Sequence, residues 1–234
     1  MFTVKFDDID SREDWGIYLS TKEIGYPTVK TEIADAPGID GVVDLTEALS
    51  NKPHYGNRTI TLTFLMLDNR VAWQGILDEI AEALHGQKVK IIGSWDPDFY
   101  YYGRCSLDPF KSDRLSGTIV IKCDCEPYKY STLDTNDRWK WDPFNFLTGI
   151  IQYIGEITIE GSGTVDMAGS TVAYPPVFFV TSASTGATVT KSGVTYPLQV
   201  GRNRFPDLIV GPNGARLEFV GDITLTIEFR EKRL

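Results

Sequence analysis

Hydrophobic and polar positions between residues 57 and 103 predict a strand, a helix and a second strand. From Arg58 to Met66 apolar side chains alternate with polar ones, the period of a strand with one buried face. Between Trp73 and Leu84 apolar residues recur every three or four positions, which predicts an amphipathic helix. Lys88 then begins another strand. The predicted buried positions are Ile60, Leu62, Phe64 and Met66 in the first strand, and Trp73, Ile76, Leu77, Ile80 and Leu84 in the helix.

The helix has candidate boundary residues on both sides. Asp68 or Asn69 can serve as its N-cap, because a short polar side chain accepts hydrogen bonds from the first free N–H groups. Gly86 stands where a glycine ends many helices in the left-handed conformation. No other stretch is convincingly helical, so we expect one helix packed on a largely β body.

The first fifty residues predict short strands separated by polar segments. The predicted strands are Phe2–Phe6, Gly16–Leu19 and Thr28–Ile33. The acidic segment Asp7–Asp14 lacks the glycine and glutamate spacing of an EF-hand, so a solvated loop is expected there rather than a calcium site. Residues Ala34–Pro53 predict a long loop, which in a compact domain is usually functional.

The last third of the chain predicts a β-sandwich. Short apolar runs alternate with turn residues every 8 to 12 positions or so. Gly211–Gly214 predicts a turn, and Val220–Ile223 a tight hairpin. The predicted strands are Ile154–Glu160, Pro176–Val180, Thr188–Thr190, Tyr196–Val200, Asp207–Val210, Ala215–Val220 and Ile223–Phe229.

Six motifs follow one another along the chain in a definite order. They are Gly38-Ile-Asp-Gly-Val-Val-Asp-Leu45, Tyr55-x-Asn-Arg58, the helix ending in Leu84-His-Gly86, Asp96-Pro-Asp98 before Tyr102-Gly-Arg104, Ile119 to Tyr128, and Leu217 to Leu234. Their order and spacing resemble the distal tail proteins (Dit) of long flexible-tailed phages. Each motif alone is unspecific, but together they span nearly the whole chain.

The resemblance implies a fold and a domain organisation. We expect a mainly β protein with an N-terminal β-sandwich or barrel carrying one α-helix, like a tail-tube protein, followed by a C-terminal galectin-like β-sandwich. Residues 1–130 would form the ring-building domain, 131–149 a linker and 150–234 the sandwich. Trp139 and Trp141 are expected to anchor the junction.

The resemblance also implies a structural role in the virion. The chain would form a homohexameric ring that joins the tail tube to the tail tip or baseplate and leaves a channel for DNA and the tape measure protein. Expected partners are the tail tube protein and the tail-associated lysin or fibre hub. A receptor-binding protein as a further partner, and stacking of rings in pairs, are left open. No catalytic, cofactor or metal site is implied.

Charge and hydropathy narrow the possible partners. The formal net charge of −9 argues against binding of the nucleic-acid backbone, which needs clustered Lys and Arg. No apolar run approaches the roughly 20 residues of a membrane span. The N-terminus has no apolar signal-peptide region, so assembly in the host cytoplasm is expected.

Three cysteines and two histidines raise the question of chemistry. Cys123 and Cys125 lie on one face of a strand and, with His85, suggest a soft-metal pair. Because zinc takes about four ligands, small apolar residues of a β core are the better interpretation, also for Cys105. His85 is expected to be a cation at the helix end. Neither His85 nor His54 accompanies a nucleophile motif.

Two further hypotheses rest on the aromatic segment 93–104. Trp95, Phe99 and Tyr100–Tyr102 suggest a sugar- or base-stacking platform of a carbohydrate-binding adhesin, or aromatics packed in the core or at a subunit interface. Asp96 and Asp98 are the candidate acid pair of a glycan-active enzyme, although a turn explains them more economically. The C-terminal sandwich lacks Trp and His, so its stacking candidates are Tyr153, Tyr174 and Tyr196.

Overall fold

The computed structural model describes residues 2–35, 37–38, 40–48, 51–67, 72–112, 116–136 and 154–234. Two compact units emerge: Met1–Asp96 with Tyr100–Lys129, and Pro97–Phe99 with Tyr130–Leu234. The mainly β class is confirmed, and a single α-helix occurs within these ranges. Several sequence predictions concern residues outside the described ranges, namely the cap at Asp68 or Asn69, most of the linker with Trp139 and Trp141, and Tyr153.

An antiparallel sheet forms the body of the first unit. Its strands follow the order β2-β1-β9-β10-β12-β8-β3, and β11 pairs with β12. The bounds are β1 Val4–Phe6, β2 Ile9–Asp10, β3 Tyr18–Ile24, β8 Arg58–Met66, β9 Lys88–Gly93, β10 Phe99–Leu107, β11 Lys111–Ser112 and β12 Gly117–Cys125, with four short strands between β3 and β8: β4 Val29–Lys30, β5 Ile33–Ala34, β6 Val43–Asp44 and β7 His54–Tyr55.

Strand β8 is paired on both sides, between β12 and the edge strand β3. It pairs with β12 along its whole length, from Gly117↔Met66 to Cys125↔Arg58, and with β3 on its other side. The four predicted apolar positions are all buried, whereas Thr59 is exposed. The sequence alternation and the observed register therefore place the same side chains in the core. A slip of the pairing by one residue would turn this apolar face to solvent. The predicted strand is confirmed.

The helix α1 spans Trp73–Leu84 and packs on the core of the first unit. Trp73, Ile80 and Leu84 are buried, and the two other predicted positions pack against the core. Gly86 follows with φ +78°, so it ends the helix in the left-handed conformation as predicted. At the other end Ala72 occupies the N-cap position without a side-chain hydrogen bond.

The N-terminal predictions need three corrections. The strand predicted at Gly16–Leu19 lies at Tyr18–Ile24, because this edge strand is held by its ladder to β8 and not by an apolar face. The single strand predicted at Thr28–Ile33 is two short strands, β4 and β5. The acidic segment is solvated only in part. Its other four carboxylate residues are exposed as predicted, but Asp10 is buried in β2, and its carboxylate accepts hydrogen bonds from the N–H groups of Arg12 and Glu13.

Two four-stranded antiparallel sheets make up the second unit, with the orders β14-β21-β16-β19 and β15-β20-β17-β18. Their apolar faces share one core. The strands of this half of the chain are β13 Lys129–Ser131, β14 Glu156–Ile159, β15 Ser162–Met167, β16 Val177–Ala183, β17 Thr188–Lys191, β18 Val194–Pro197, β19 Gly201–Arg204, β20 Ala215–Val220, β21 Ile223–Glu228 and β22 Lys232–Arg233.

Two predictions in the sandwich are wrong. Val220–Ile223 is not a hairpin, because β20 and β21 belong to different sheets and the turn carries the chain from one sheet to the other. Gly221 takes φ +109° there, and the Asp222 carboxylate accepts the N–H of Gly161. The run Asp207–Val210 forms only an isolated bridge, Tyr174↔Val210. Strands β15 and β19 were not predicted, since their polar residues conceal the period.

No helix in the described ranges has both the length and the apolar character needed to cross a membrane.

We expect Leu225→Asp to unfold the second unit. Leu225 is fully buried between Ile157 and Val180, so an aspartate there places an unpaired charge in the core, at about 3–5 kcal/mol. Thr224→Asp, on the opposite face of the same strand, should cost less than about 1 kcal/mol. Thermal unfolding followed by circular dichroism compares the two variants. Equal losses would contradict the register of β21.

Candidate functional site

Residues 25–56, between β3 and β8, form a segment that we call the arm. Two short ladders build it: Val29 pairs with Tyr55, and Ala34 pairs with Val43. Around the second ladder the Thr46 hydroxyl accepts the N–H of Glu32 at 3.1 Å, and the Asp44 carboxylate accepts the N–H of Thr46 at 2.9 Å. Hydrogen bonds from Thr46 lower the pKa of Asp44. The long loop predicted at Ala34–Pro53 therefore contains strands and local caps.

The arm exposes its large apolar side chains. Tyr26 is 86% exposed, Ile33 58% and Val42 61%, and Val29 and Leu45 are also exposed. None of these five residues belongs to the core of the first unit. Soluble proteins rarely leave many large apolar residues of one short segment in water, and such concentrations mark interaction surfaces. The arm is the candidate site with the clearest physical reason to contact another molecule.

Sequence reasoning singled out Ala34–Pro53 as a functional loop, but it missed the exposed apolar residues Tyr26, Val29 and Ile33, which precede that loop in the arm. Its strands are two residues long, which is too short for a period to show in the sequence. The sequence does contain one indication of an interaction surface. Apolar residues are scattered among Gly, Pro and Asp in this stretch and follow neither the helix nor the strand period.

The aromatic segment 93–104 is not an open platform. The ammonium of Lys22 lies 3.8 Å from the centroid of the Trp95 ring, and Phe2 meets that ring edge-on at 6.2 Å. The ammonium of Lys88 lies 4.3 Å from the centroid of the Tyr102 ring, and that of Lys90 lies 5.4 Å from the centroid of the Tyr100 ring. Cation–π contacts of this kind are structural.

The two acidic candidates have separate roles in the structure. Asp96 forms a partly buried ion pair with Lys129 at 2.5 Å. The backbone carbonyl of Asp98 accepts two hydrogen bonds from Thr132. These contacts support the turn and give no sign of an acid and base pair aimed at a bond.

The core interpretation of the cysteines is confirmed. Cys105, Cys123 and Cys125 are fully buried, and Cys105 faces Cys123 across β10 and β12 with 2.6 Å between the two Sγ atoms. His85 does not join them: its Nδ1 accepts the N–H of Leu107 at 3.2 Å. His85 occupies the C-cap position of α1, so its predicted place at the helix end is confirmed, and its charge there stays a prediction. Among the described residues no group of His, Cys, Asp and Glu could hold a metal ion.

Comparison with solved structures connects this architecture to a known protein. The crystal structure of the SPP1 Dit protein (gp 19.1), described as a paradigm of the hub adsorption apparatus in phages infecting Gram-positive bacteria, matches 100% of both chains, with a TM-score of 0.59 and 16% sequence identity. This chain has the fold of a phage Dit protein. No protein-family model and no curated protein matches the sequence. The resemblance drawn from the ordered motifs is confirmed in the fold.

The sandwich of this Dit-like fold engages its tyrosine candidates internally. Tyr174 stacks on Phe229 with centroids 4.6 Å apart, and burial raises its pKa above the ordinary tyrosine range. Tyr196 packs on Phe205 at 4.9 Å. His54 lies in β7 of the arm, paired with Lys30. Neither tyrosine offers both faces of its ring to a sugar.

We expect the cysteines to resist modification while the chain is folded. Burial raises the pKa of Cys125 to about 12, and the thiolate is the reactive form. At pH 8, Ellman's reagent should titrate all three thiols after unfolding in guanidinium and none before. Rapid labelling of the folded chain would contradict the core assignment.

The raised pKa of Cys125 also predicts how the stability of the folded chain changes at alkaline pH. Because the folded pKa of Cys125 lies above its ordinary value of 9.0, the folded state holds the proton more tightly. This stabilisation is fully present below about pH 9 and is lost as the pH rises towards 12. A Cys125→Ala variant should show a shallower alkaline decline in unfolding midpoint, measured by fluorescence, than the parent chain.

Proposed function

We propose that this chain is a structural virion protein, the distal tail hub of a long-tailed phage or a related tail-like particle. The observation that carries the proposal is the fold match to SPP1 Dit along the entire length of both chains. In this role the chain forms a homohexameric ring that joins the tail tube to the tail tip or baseplate. The work is done by subunit contacts, and no bond is broken.

The proposed partners follow from a hub's position in a tail. One face of the ring meets the tail tube protein, and the other meets the tail-associated lysin or fibre hub. The first unit, together with its arm, builds the ring. The second unit is a galectin-like docking platform, which is also the place for a receptor-binding protein.

The arm supplies a physical basis for ring closure. A head-to-tail contact between identical chains generates a closed ring when its rotation closes on itself. Such a contact joins two different surfaces of neighbouring subunits, and the exposed apolar residues of the arm, Ile33 and Val42 among them, supply one of the two. Burying them against the next subunit would remove their apolar area from water at about 25 cal/mol per Å².

The negative net charge of the chain favours a channel through which DNA passes over a protein that binds nucleic acid. Each subunit carries a formal net charge of −9, and a ring multiplies that excess. A negative lining weakly repels DNA and lets it pass together with the tape measure protein. Duplex DNA is therefore not a proposed ligand.

The carbohydrate-binding alternative has less support. An adhesin needs an aromatic ring with a free face, whereas the Trp95 ring is packed by the Lys22 ammonium, by the edge contact with Phe2 and by the backbone at Gly93. In the sandwich, Tyr174 and Tyr196 are stacked on phenylalanines.

Light scattering of the purified chain tests the proposal. A hub protein should have a mass near six copies, or twelve if rings stack in pairs. A monomer at micromolar concentrations would contradict the ring, since an adhesin module or a hydrolase has no need of closure.

We expect Ile33→Asp to disrupt assembly and leave the fold intact. Ile33 is 58% exposed in the arm, so a charge there costs little in the single chain but prevents burial against a neighbour. Val194→Asp is the matched control, because Val194 is similarly exposed, at 53%, in the second unit. Light scattering should show smaller particles for the first variant only, with unchanged melting temperatures for both. Rings that survive Ile33→Asp but not Val194→Asp would place the contact in the second unit.

A further inference from the structure

Arg58 is a charged residue inside the core of the first unit. It occupies the first position of β8, opposite Cys125 on β12, and is only 4% exposed. Because side chains alternate along a strand, Arg58 points to the same buried face as Ile60. Arginine is almost never fully buried without a partner, so we expect a group that neutralises the charge of Arg58.

None of the described residues supplies an acceptor for one edge of the Arg58 guanidinium. Its Nε and Nη2 atoms are buried and have no hydrogen-bond partner in the described part of the chain. These two nitrogens point their hydrogens in parallel along the same edge of the planar group. It is the edge that binds carboxylate or phosphate through two hydrogen bonds at once.

The carboxylates next to this position are all engaged elsewhere. Asp124 and Glu126 flank Cys125 in the sequence. The Asp124 carboxylate accepts a hydrogen bond from Asn57 at 3.0 Å, and the Glu126 carboxylate forms an ion pair with Lys88 at 2.8 Å. Asp96 is held by Lys129. The charge of Arg58 is therefore not neutralised by any of these three groups.

The groups that do lie beside Arg58 are neutral. The Tyr101 ring is half-buried, with its centroid 5.3 Å from the guanidinium carbon. Burial raises the pKa of Tyr101, and burial also raises the pKa of Cys125 to about 12. At neutral pH a hydroxyl and a thiol surround the guanidinium, and neither offers a negative charge.

We propose that the Nε–Nη2 edge of Arg58 is a binding site for one oxyanion, a carboxylate or a phosphate. The anion completes the two open hydrogen bonds and neutralises the buried charge, which is strongly unfavourable when left unpaired. Tyr101 covers the guanidinium and is half-exposed, so movement of its ring opens the way to the site. The source is either a small anion in solution or a carboxylate side chain of a second copy of this chain.

Scanning calorimetry with added anions tests this site in the full chain. Sodium acetate and sodium phosphate are titrated against sodium chloride at equal ionic strength and pH. We expect acetate or phosphate to raise the melting temperature of the parent chain in a saturable way, by about 5 °C, while chloride gives no such rise.

Three variants assign the effect to the two-bond edge of Arg58. Arg58→Met keeps the length of the side chain without charge and should melt at or above the parent chain in chloride, with no response to acetate. Arg58→Lys retains the charge but not the paired donors, so it should respond at least tenfold more weakly. Arg104→Met is the control, because Arg104 is exposed on β10 and bonds to the Gly86 carbonyl; its response should equal that of the parent.

Assembly separates the two sources of the anion. If a second copy supplies the carboxylate, Arg58→Met lowers the particle mass in light scattering and acetate stabilises only the dissociated chain. If the anion comes from solution, the mass is unchanged and acetate stabilises every assembly state. The site does not depend on the proposed hub function, because a monomeric chain can still show the anion response.

Two results would overturn the proposal. One is equal melting of the parent chain in acetate, phosphate and chloride, which would mean that Arg58 is satisfied by water. The other is an acetate response that persists in Arg58→Met, which would place the anion elsewhere. If Arg58→Met fails to fold, the parent titration and Arg58→Lys still decide the question.

Discussion

The pairing of β8 with β12 is the constraint on which the first unit depends. Nine consecutive residue pairs fix the register from Met66 to Arg58 and turn one face of each strand into the core. The helix closes that face with Trp73, Ile80 and Leu84. Since a slip by one residue would expose every apolar side chain of β8, the same ladder also determines which residues are excluded from the core.

The arm is excluded in this way, and its position in the chain explains its chemistry. It connects the edge strand β3 to its neighbour β8, and its own short ladders, β4 with β7 and β5 with β6, do not join the main sheet. Ile33 and Val42 are not part of the core of the first unit, and both remain exposed. The opposite case is Arg58, where the first residue of β8 carries a charged side chain into the interior. The exposed apolar surface of the arm and the buried charge of Arg58 thus both lie at the start of β8.

Long elements with a clear period were predictable from the sequence, and short or polar ones were not. The alternation in β8 and the spacing of three or four residues in α1 predicted both elements at the correct residues, because burial of one face produces both patterns. Strand β19 and the two-residue strands of the arm carry no period, so only the ladder reveals them. The turn at Gly221 shows another limit: the sequence specifies a reversal, whereas the choice of sheet depends on the packing of the whole sandwich. Burial of Arg58 follows from the alternation of β8, but its charge argues against an interior position, because arginine is almost never fully buried without a partner.

The central claim is that this Dit-like fold builds a closed ring from identical chains, and direct imaging tests it best. Electron microscopy of the purified chain, with class averages computed without imposed symmetry, should show rings with six equivalent subunits around a central opening. The first unit should line the opening. Single separated particles, open filaments, or rings closed through the sandwich would contradict the account.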